Sequence, residues 1–166
     1  MKKYKDTEFQ KIITPLIDNS DFKETKKIIH HGITRYEHSL RVAYFSYKIT
    51  KLLKLDYKET AEAALLHDFF MSEVDGKNQI IKLRRHPEYA VKNAKKYFDI
   101  TEKQEDIIKT HMFPITFTPP KYLESWIVDI VDDISAIYEQ ALSTGQQLKK
   151  VAIVLFILVI NFVKFR

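Results

Sequence analysis

Apolar residues recur every three or four positions along most of the chain, a spacing typical of amphipathic helices. No stretch alternates apolar and polar residues as a half-buried strand would. The pattern therefore predicts an all-α protein. The clearest rows are Val42, Phe45, Ile49 and Leu52, and later Leu123, Trp126, Ile127, Ile130, Ile134 and Ile137.

Local signals in the first half of the chain place the helix ends. Residues 7–18 and 21–30 are predicted to be short helices, the first interrupted by Pro15. Thr34 and Glu37 have the spacing of a capping box, so a strong helix is expected to begin at Thr34. Asp56 is expected to cap the next helix, which ends near His67 and Asp68.

In the second half of the chain, polar and proline-rich stretches separate the predicted helices. Residues 71–78 are polar and contain Gly76, so they are predicted to form a loop. A new helix is expected to start around Pro87, because proline suits a first helical turn. Residues 101–104 can cap another helix. Residues 113–120 contain three prolines and must be irregular. A long helix is predicted to follow.

Composition narrows the class of protein. A chain of 166 residues suits a single domain, and the absence of cysteine excludes disulfides and thiolate chemistry. The net charge of +5 suits anionic ligands or a membrane surface, but it is too small to predict nucleic-acid binding. No apolar stretch follows the first lysines, so no signal peptide is expected and a cytoplasmic location is predicted.

Residues 151–163 differ from the rest, because Asn161 is their only polar residue. A thirteen-residue helix spans about 20 Å, less than the ~30 Å hydrocarbon core of a bilayer. Two interpretations remain open at this point. The segment is either a helix buried against the domain or in a homodimer interface, or a segment that contacts a membrane surface through its flanking basic residues.

Ionisable residues at apolar positions are the candidates for chemistry. His38 lies four residues before Val42, so it points to the apolar side of its helix. His67 and Asp68 follow the apolar run at 63–66. Because burying an unpaired carboxylate is costly, this pair needs a partner, and a metal ion would satisfy both residues. A helix cap or a salt bridge formed by Asp68 is the alternative.

A second group of candidates is less distinctive. A five-residue stretch of an otherwise apolar predicted helix contains three acidic residues, Asp129, Asp132 and Asp133. Without a cation these carboxylates would repel one another. His86 and His111 stand at predicted helix ends, where histidines are usually caps or surface residues. His30 and His31 precede Gly32 and are expected to be exposed or at the edge of a substrate site.

Three segments in order resemble the HD-domain superfamily of metal-dependent phosphohydrolases: RYEHSLRVA at 35–43, LLHDFF at 65–70 and IVDIVDDIS at 127–135. The resemblance covers roughly residues 33–140 and is strongest to a bacterial subgroup. It implies an α-helical HD bundle at 33–140. On either side of it, a helical lead-in at 1–32 and an apolar C-terminal helix at 141–166 are expected from the residues themselves. Phe70 and Met71 replace the glycine and lysine that often follow the His-Asp pair.

The resemblance also implies a site. One metal ion would be bound by His38, His67, Asp68 and Asp132, and a second by His86, His111 and a bridging Asp68. Two ions of iron, manganese, zinc or nickel are expected. His67 and Asp68 would serve catalysis by metal-activated water.

The expected substrate is a small phosphoester or phosphoanhydride, most readily a nucleotide. Arg35 and Arg85 are predicted to bind it, Arg85 as part of a basic group with Lys82 and Arg84. A regulatory or non-catalytic HD-fold module that binds a ligand is the alternative, and membrane association is compatible with either.

Overall fold

The computed structural model describes residues 4–30, 32–71, 74 and 76–144. The described part of the chain is all-α apart from one short hairpin. Its elements are α1 (Thr7–Ile17), α2 (Ser20–Lys23), a 3-10 turn (Glu24–Lys27), β1 (Ile29–His30), β2 (Ile33–Thr34), α3 (Arg35–Leu52), α4 (Tyr57–Leu66), α5 (Gln79–Tyr97), α6 (Glu102–Thr110) and α7 (Leu123–Thr144).

Helix α3 begins where the sequence predicted. The Thr34 hydroxyl accepts a hydrogen bond from the Glu37 backbone N–H, and the Glu37 carboxylate accepts one from the Thr34 N–H. Helix α6 starts with the same reciprocal arrangement between Thr101 and Gln104. Both capping boxes satisfy backbone donors that a helix otherwise leaves unpaired.

The predicted helix start at Pro87 is wrong. Helix α5 begins eight residues earlier, at Gln79, where the Asn78 side chain accepts a hydrogen bond from the Ile81 N–H. Pro87 lies inside the helix, as Pro15 lies inside α1 without interrupting it. A proline removes one helical hydrogen bond, but tertiary packing can outweigh that loss, and Pro87 is buried.

The predicted helix at 21–30 is also shorter than expected. The chain leaves the 3-10 turn at Ile28 and forms a two-residue antiparallel hairpin, in which Ile29 pairs with Thr34 and His30 with Ile33. Gly32 has a φ of 82°, a left-handed conformation that favours glycine. The second strand of the hairpin therefore ends directly at the start of α3.

Helix α3 packs most extensively against α4 and α7 and forms the centre of the bundle. The core combines aliphatic residues with large buried aromatic side chains, among them Phe9, Phe22, Tyr47 and Phe69. Phe69 contacts Phe22 at a ring separation of 5.4 Å. Because Phe69 directly follows Asp68, this packing anchors the segment that carries the His-Asp pair.

Of the apolar row that the sequence predicts on α7, Ile127 is buried, and most of the other members are not. Val128 and Val131 face the core, together with Asp132 and Glu139, whereas Trp126, Ile130 and Ile137 are exposed. None of the described helices is long and apolar enough to cross a membrane. The predicted apolar helix at 151–163 lies outside the described residues.

Candidate metal centre

Five helices direct imidazole and carboxylate groups to one buried point. His38 lies in α3 and His86 in α5, His67 and Asp68 directly follow α4, His111 follows α6, and Asp132 lies in α7. Each of these six residues is at most 8% exposed. Several ionisable groups so deeply buried together must compensate one another or bind an ion.

Asp132 forms one side of the cluster. Its Oδ1 atom lies 2.8 Å from Nε2 of His38 and 3.5 Å from Nε2 of His67. The ring centroids of the two histidines are 5.3 Å apart. One carboxylate oxygen therefore faces two imidazole nitrogens at once.

Asp68 lies between this side and the other. Its Oδ2 atom is 3.9 Å from Nε2 of His67, while its Oδ1 atom is 3.3 Å from Nε2 of His86 and 3.9 Å from Nε2 of His111. The two Nε2 atoms of His86 and His111 are 2.8 Å apart. Nε of Arg35 is also 3.9 Å from Oδ2. The two oxygens of Asp68 thus face different groups, an arrangement that suits a bridging carboxylate.

The tautomers of two histidines follow from their backbone contacts. Nδ1 of His67 lies 2.7 Å from the carbonyl oxygen of Ala64, and Nδ1 of His111 lies 2.7 Å from that of Ile108. A carbonyl oxygen can only accept, so both Nδ1 atoms carry a proton and donate it. When these imidazoles are neutral, their Nε2 atoms present lone pairs to the cluster.

His38 is oriented by a carboxylate instead. Its Nδ1 atom lies 2.8 Å from Oε2 of Glu139, and the other carboxylate oxygen of Glu139 accepts a hydrogen bond from Arg41. Glu139 is only 1% exposed. A hydrogen bond from the second ring nitrogen fixes a metal-ligating histidine and strengthens it as a donor, so Glu139 has the position of such a support.

The protein's own charges polarise the cluster. Burial opposes protonation of His38, but Asp132 and Glu139 outweigh it and raise its pKa to about 10. Burial and the neighbouring His67 and His86 lower the pKa of His111 to about 3. Although burial opposes its ionisation, Asp132 has a pKa well below its ordinary value because His67 and His38 lie beside it. The cluster thus combines an ionised carboxylate with at least one neutral imidazole.

These residues fit a metal ion. The Nε2 atom of His67 is buried and has no hydrogen-bond partner. Three sets of ligand atoms lie within 4.8 Å of one another: His38, His67 and Asp68; His67, His111 and Asp132; and Asp68, His86 and His111. Neutral imidazoles together with carboxylates suit manganese, iron, zinc and similar divalent ions, and a cation would turn mutually repelling lone pairs into ligands.

The sequence comparison decides the family. The family model of the HD domain matches residues 35–137, most of the described bundle. The chain belongs to the HD-domain family. HD domains are generally metal-dependent hydrolases. No curated protein matches the chain.

A cleft of about 470 Å³ opens beside the cluster of this HD domain. Asp68, His86 and Asp132 contribute to its wall, and Arg35 and Lys82 add positive charge. The Arg35 guanidinium donates a hydrogen bond to the Phe70 carbonyl oxygen at 2.5 Å and stacks over the Phe70 ring. Its Nε atom is buried and makes no hydrogen bond, but it lies 3.9 Å from Oδ2 of Asp68 as an ion pair.

The structure brings all six predicted metal ligands together and places Arg35 beside them. Arg85, also predicted to bind substrate, is exposed and is not part of the cleft wall, where its neighbour Lys82 lies instead. The structure does not describe His31 or the side chain of His30. The roles of the individual residues stay predictions.

Two residues of the site were missed by the sequence prediction. Glu139 follows Asp132 by seven residues, two helical turns, and therefore lies on the same face of α7. Arg41 follows His38 by three residues and reaches Glu139 from α3. The spacing of Glu139 is a usable signal, because an acidic residue two turns from a predicted ligand projects toward the same site.

Proposed function

We propose that this HD domain is a metal-dependent phosphohydrolase that cleaves a small phosphoester or phosphoanhydride of a nucleotide-like molecule. The observation that carries the proposal is the buried convergence of four imidazole Nε2 atoms on two carboxylates at the wall of a cleft that also contains Arg35 and Lys82. When bound, divalent metal ions activate water at neutral pH and neutralise charge developing on a phosphoryl group.

The arrangement around Asp68 supports two ions. His38, His67 and Asp132 would hold one ion with Asp68, and His86 and His111 would hold the other with the opposite oxygen of Asp68. Glu139 would keep the His38 ring in place, and the Ala64 and Ile108 carbonyls would do the same for His67 and His111. A rigid ligand set of this kind positions the reacting groups without further rearrangement.

The cleft supports a phosphorylated substrate with an apolar part. Arg35 and Lys82 are the cations of its wall, and a guanidinium can bind phosphate oxygens through charge-assisted hydrogen bonds. Much of the remaining wall is apolar, including Ile28, Phe70 and Leu83. A volume of about 470 Å³ suits one small ligand, and a nucleoside phosphate combines an anionic end with a flat, weakly polar base.

The experiment begins with the metal content of the purified protein. Phosphate release is then measured from a panel of nucleoside mono-, di- and triphosphates and dinucleotides, with Mn²⁺, Fe²⁺, Zn²⁺ or Ni²⁺ added in turn. The Asp68→Asn variant is expected to lose both metal and activity. The matched control is Asp99→Asn, which removes an exposed carboxylate away from the cleft.

Three outcomes separate the possibilities. Two equivalents of metal, with turnover that Asp68→Asn abolishes and Asp99→Asn preserves, support the proposal. Binding of metal and nucleotide without turnover favours the regulatory HD module. A protein that takes up no metal under any of these conditions overturns both the metal site and the enzyme.

A further inference from the structure

Helix α7 carries a row of exposed apolar side chains that neither the core nor the cleft explains. Leu123, Trp126, Ile130 and Ile137 are between 37% and 56% exposed, and Ile134 is half-buried between them. These five residues, called the α7 stripe below, are spaced by three or four. They lie on the side of the helix opposite Asp132 and Glu139.

The length of the α7 stripe makes it unusual. Single exposed apolar residues are common, but a continuous row marks a surface that contacts something. From Leu123 to Ile137 the helix rises about 21 Å. No stripe residue belongs to the wall of the cleft beside the metal centre. The surface is therefore separate from the cleft that would hold a substrate.

The chain itself contains a segment of matching length and character. Residues 151–163, outside the described part, include twelve apolar residues of thirteen. As a helix they would extend about 20 Å, close to the length of the stripe. We propose that residues 151–163 of the same chain dock along the α7 stripe in the antiparallel direction.

The connection between the two segments permits this docking. Six residues, 145–150, separate the end of α7 at Thr144 from Val151. The first of them is Gly145, a residue common just after a helix, and six residues reach up to about 20 Å. Val151 can therefore lie level with Ile137, and the segment can run back toward Leu123.

Charge favours the same chain over a lipid surface as the occupant. Helix α7 contains five acidic residues and no lysine or arginine, and Asp133 is exposed at the edge of the stripe. Residues 145–166 contain four basic residues and no acidic one. An anionic bilayer would repel Asp133, whereas the flanks of 151–163 would attract it.

Disulfide trapping tests the docking directly, because the full chain has no cysteine of its own. Ile130→Cys is combined with a cysteine placed in turn at 155, 156, 157 and 158, so that one full helical turn is sampled. Intramolecular disulfides are expected at one or two of these positions. A cysteine at the exposed Lys92 replaces Ile130→Cys as the control and is expected to form none.

Trp126 provides a second readout, since it is the only tryptophan and lies on the stripe. In the full chain, Ile157→Asp is expected to shift its emission to longer wavelength and to increase quenching by acrylamide. Lys92→Asp is expected to change neither. Measurements with and without vesicles of anionic phospholipid separate docking on the chain from docking on lipid.

Several results would overturn the proposal. Disulfides found only between two molecules would identify a second copy as the occupant. Emission that responds to vesicles but not to Ile157→Asp would identify the lipid surface. Absence of any pairing together with unchanged emission would remove residues 151–163 from the stripe altogether.

Discussion

Glu139 is bonded to Nδ1 of His38 and Arg41 to Glu139, so the orientation of one predicted ligand depends on two residues outside the wall of the cleft. The Glu139→Gln variant is expected to weaken metal affinity by about tenfold, because the amide is a poorer acceptor for the imidazole N–H. Competition with a chromophoric chelator measures the affinity.

The control for Glu139→Gln is Arg41→Gln, which removes the charge partner but leaves the bond from His38 to Glu139. Both variants are expected to lose thermal stability, since each leaves one partner of a buried ion pair alone. Equal metal affinities in the two variants would show that Glu139 acts on stability alone and not on the ligand.

Asp129 is a second residue whose environment opposes its charge. Burial, together with Asp133 and Asp132, raises its pKa to about 7, and its Oδ1 atom has no hydrogen-bond partner. As pH rises from the unfolded value of 3.8 through 7, the unfolded state loses its proton first, so Asp129 costs increasing stability.

Asp129→Asn is therefore expected to stabilise the chelator-treated protein by about 1–2 kcal/mol at pH 8 and by less at pH 5. Urea denaturation at both pH values measures the difference. Asp99→Asn, at an exposed position, serves as the control. A gain that is the same at pH 5 and pH 8 would contradict the role of ionisation.

At the scale of residues, the candidate metal ligands could be predicted from the sequence because their order along the chain is distinctive. His38 and Asp132 are far apart in sequence, and neither is convincing alone. The spacing of Glu139 from Asp132 places it on the site's face of α7, but its bond to a histidine in α3 depends on how the two helices pack. For Arg85, the sequence could not show which residues of α5 face the cleft, because that depends on how the helix packs. The structure places Lys82 in the cleft wall and leaves Arg85 exposed.

At the scale of elements, α3 has the clearest local determinants. Its first turn carries Arg35 and, one residue after Glu37, His38, so the capping box fixes the start of the helix that holds both. Thr34→Ala is expected to cost about 1 kcal/mol of unfolding free energy, because an N-cap bond is lost. Thermal or urea denaturation measures this.

Thr118→Ala, in the exposed segment before α7, is the matched control for Thr34→Ala and is expected to change stability little. If the two variants unfold alike, the capping box contributes nothing measurable to α3.

The same elements show why helix boundaries were predicted unevenly. Thr34, Asp56 and Thr101 each cap a helix where the sequence placed one, because side-chain capping is a local interaction. Pro87 misled the prediction, since proline is favourable at a helix start but is also tolerated inside a packed helix. The hairpin before α3 has only two residues in each strand, too few to produce an alternating pattern.

At the scale of the whole molecule, the candidate metal centre connects five helices that are otherwise held by apolar packing. Removing bound metal with a chelator is expected to lower the unfolding free energy by about 3 kcal/mol if the ion is present at 100 times its dissociation constant. Calorimetry before and after chelation, and again after metal is restored, measures the effect.

Asp68→Asn serves as the comparison for chelation, because its unfolding temperature is expected to respond far less to the chelator. If neither the chelator nor added metal changes the unfolding temperature of the wild-type protein, bound metal does not stabilise the packing of the five helices.

The helical bundle as a whole followed from the apolar periodicity, which is averaged over many residues and tolerates local errors. The burial of α7 did not follow, because that helix has two apolar sides. Val128 and Val131 face the core, whereas Ile130 and Ile137 face outward. The outward row has the more regular spacing of three and four residues, so spacing alone predicts the wrong side as buried. Polar core residues such as Asp132 and Glu139 further conceal the buried side.

The backbone contacts of His67 and His111 restrict how the chain can change in length. Each imidazole donates to the carbonyl three residues earlier, at the end of the helix that precedes it. Inserting one residue in either interval would turn the ring by about 100° around the helix axis and break the hydrogen bond. An insertion or deletion between Ala64 and His67, or between Ile108 and His111, is therefore expected to displace a ligand, whereas a substitution there leaves the backbone acceptor in place.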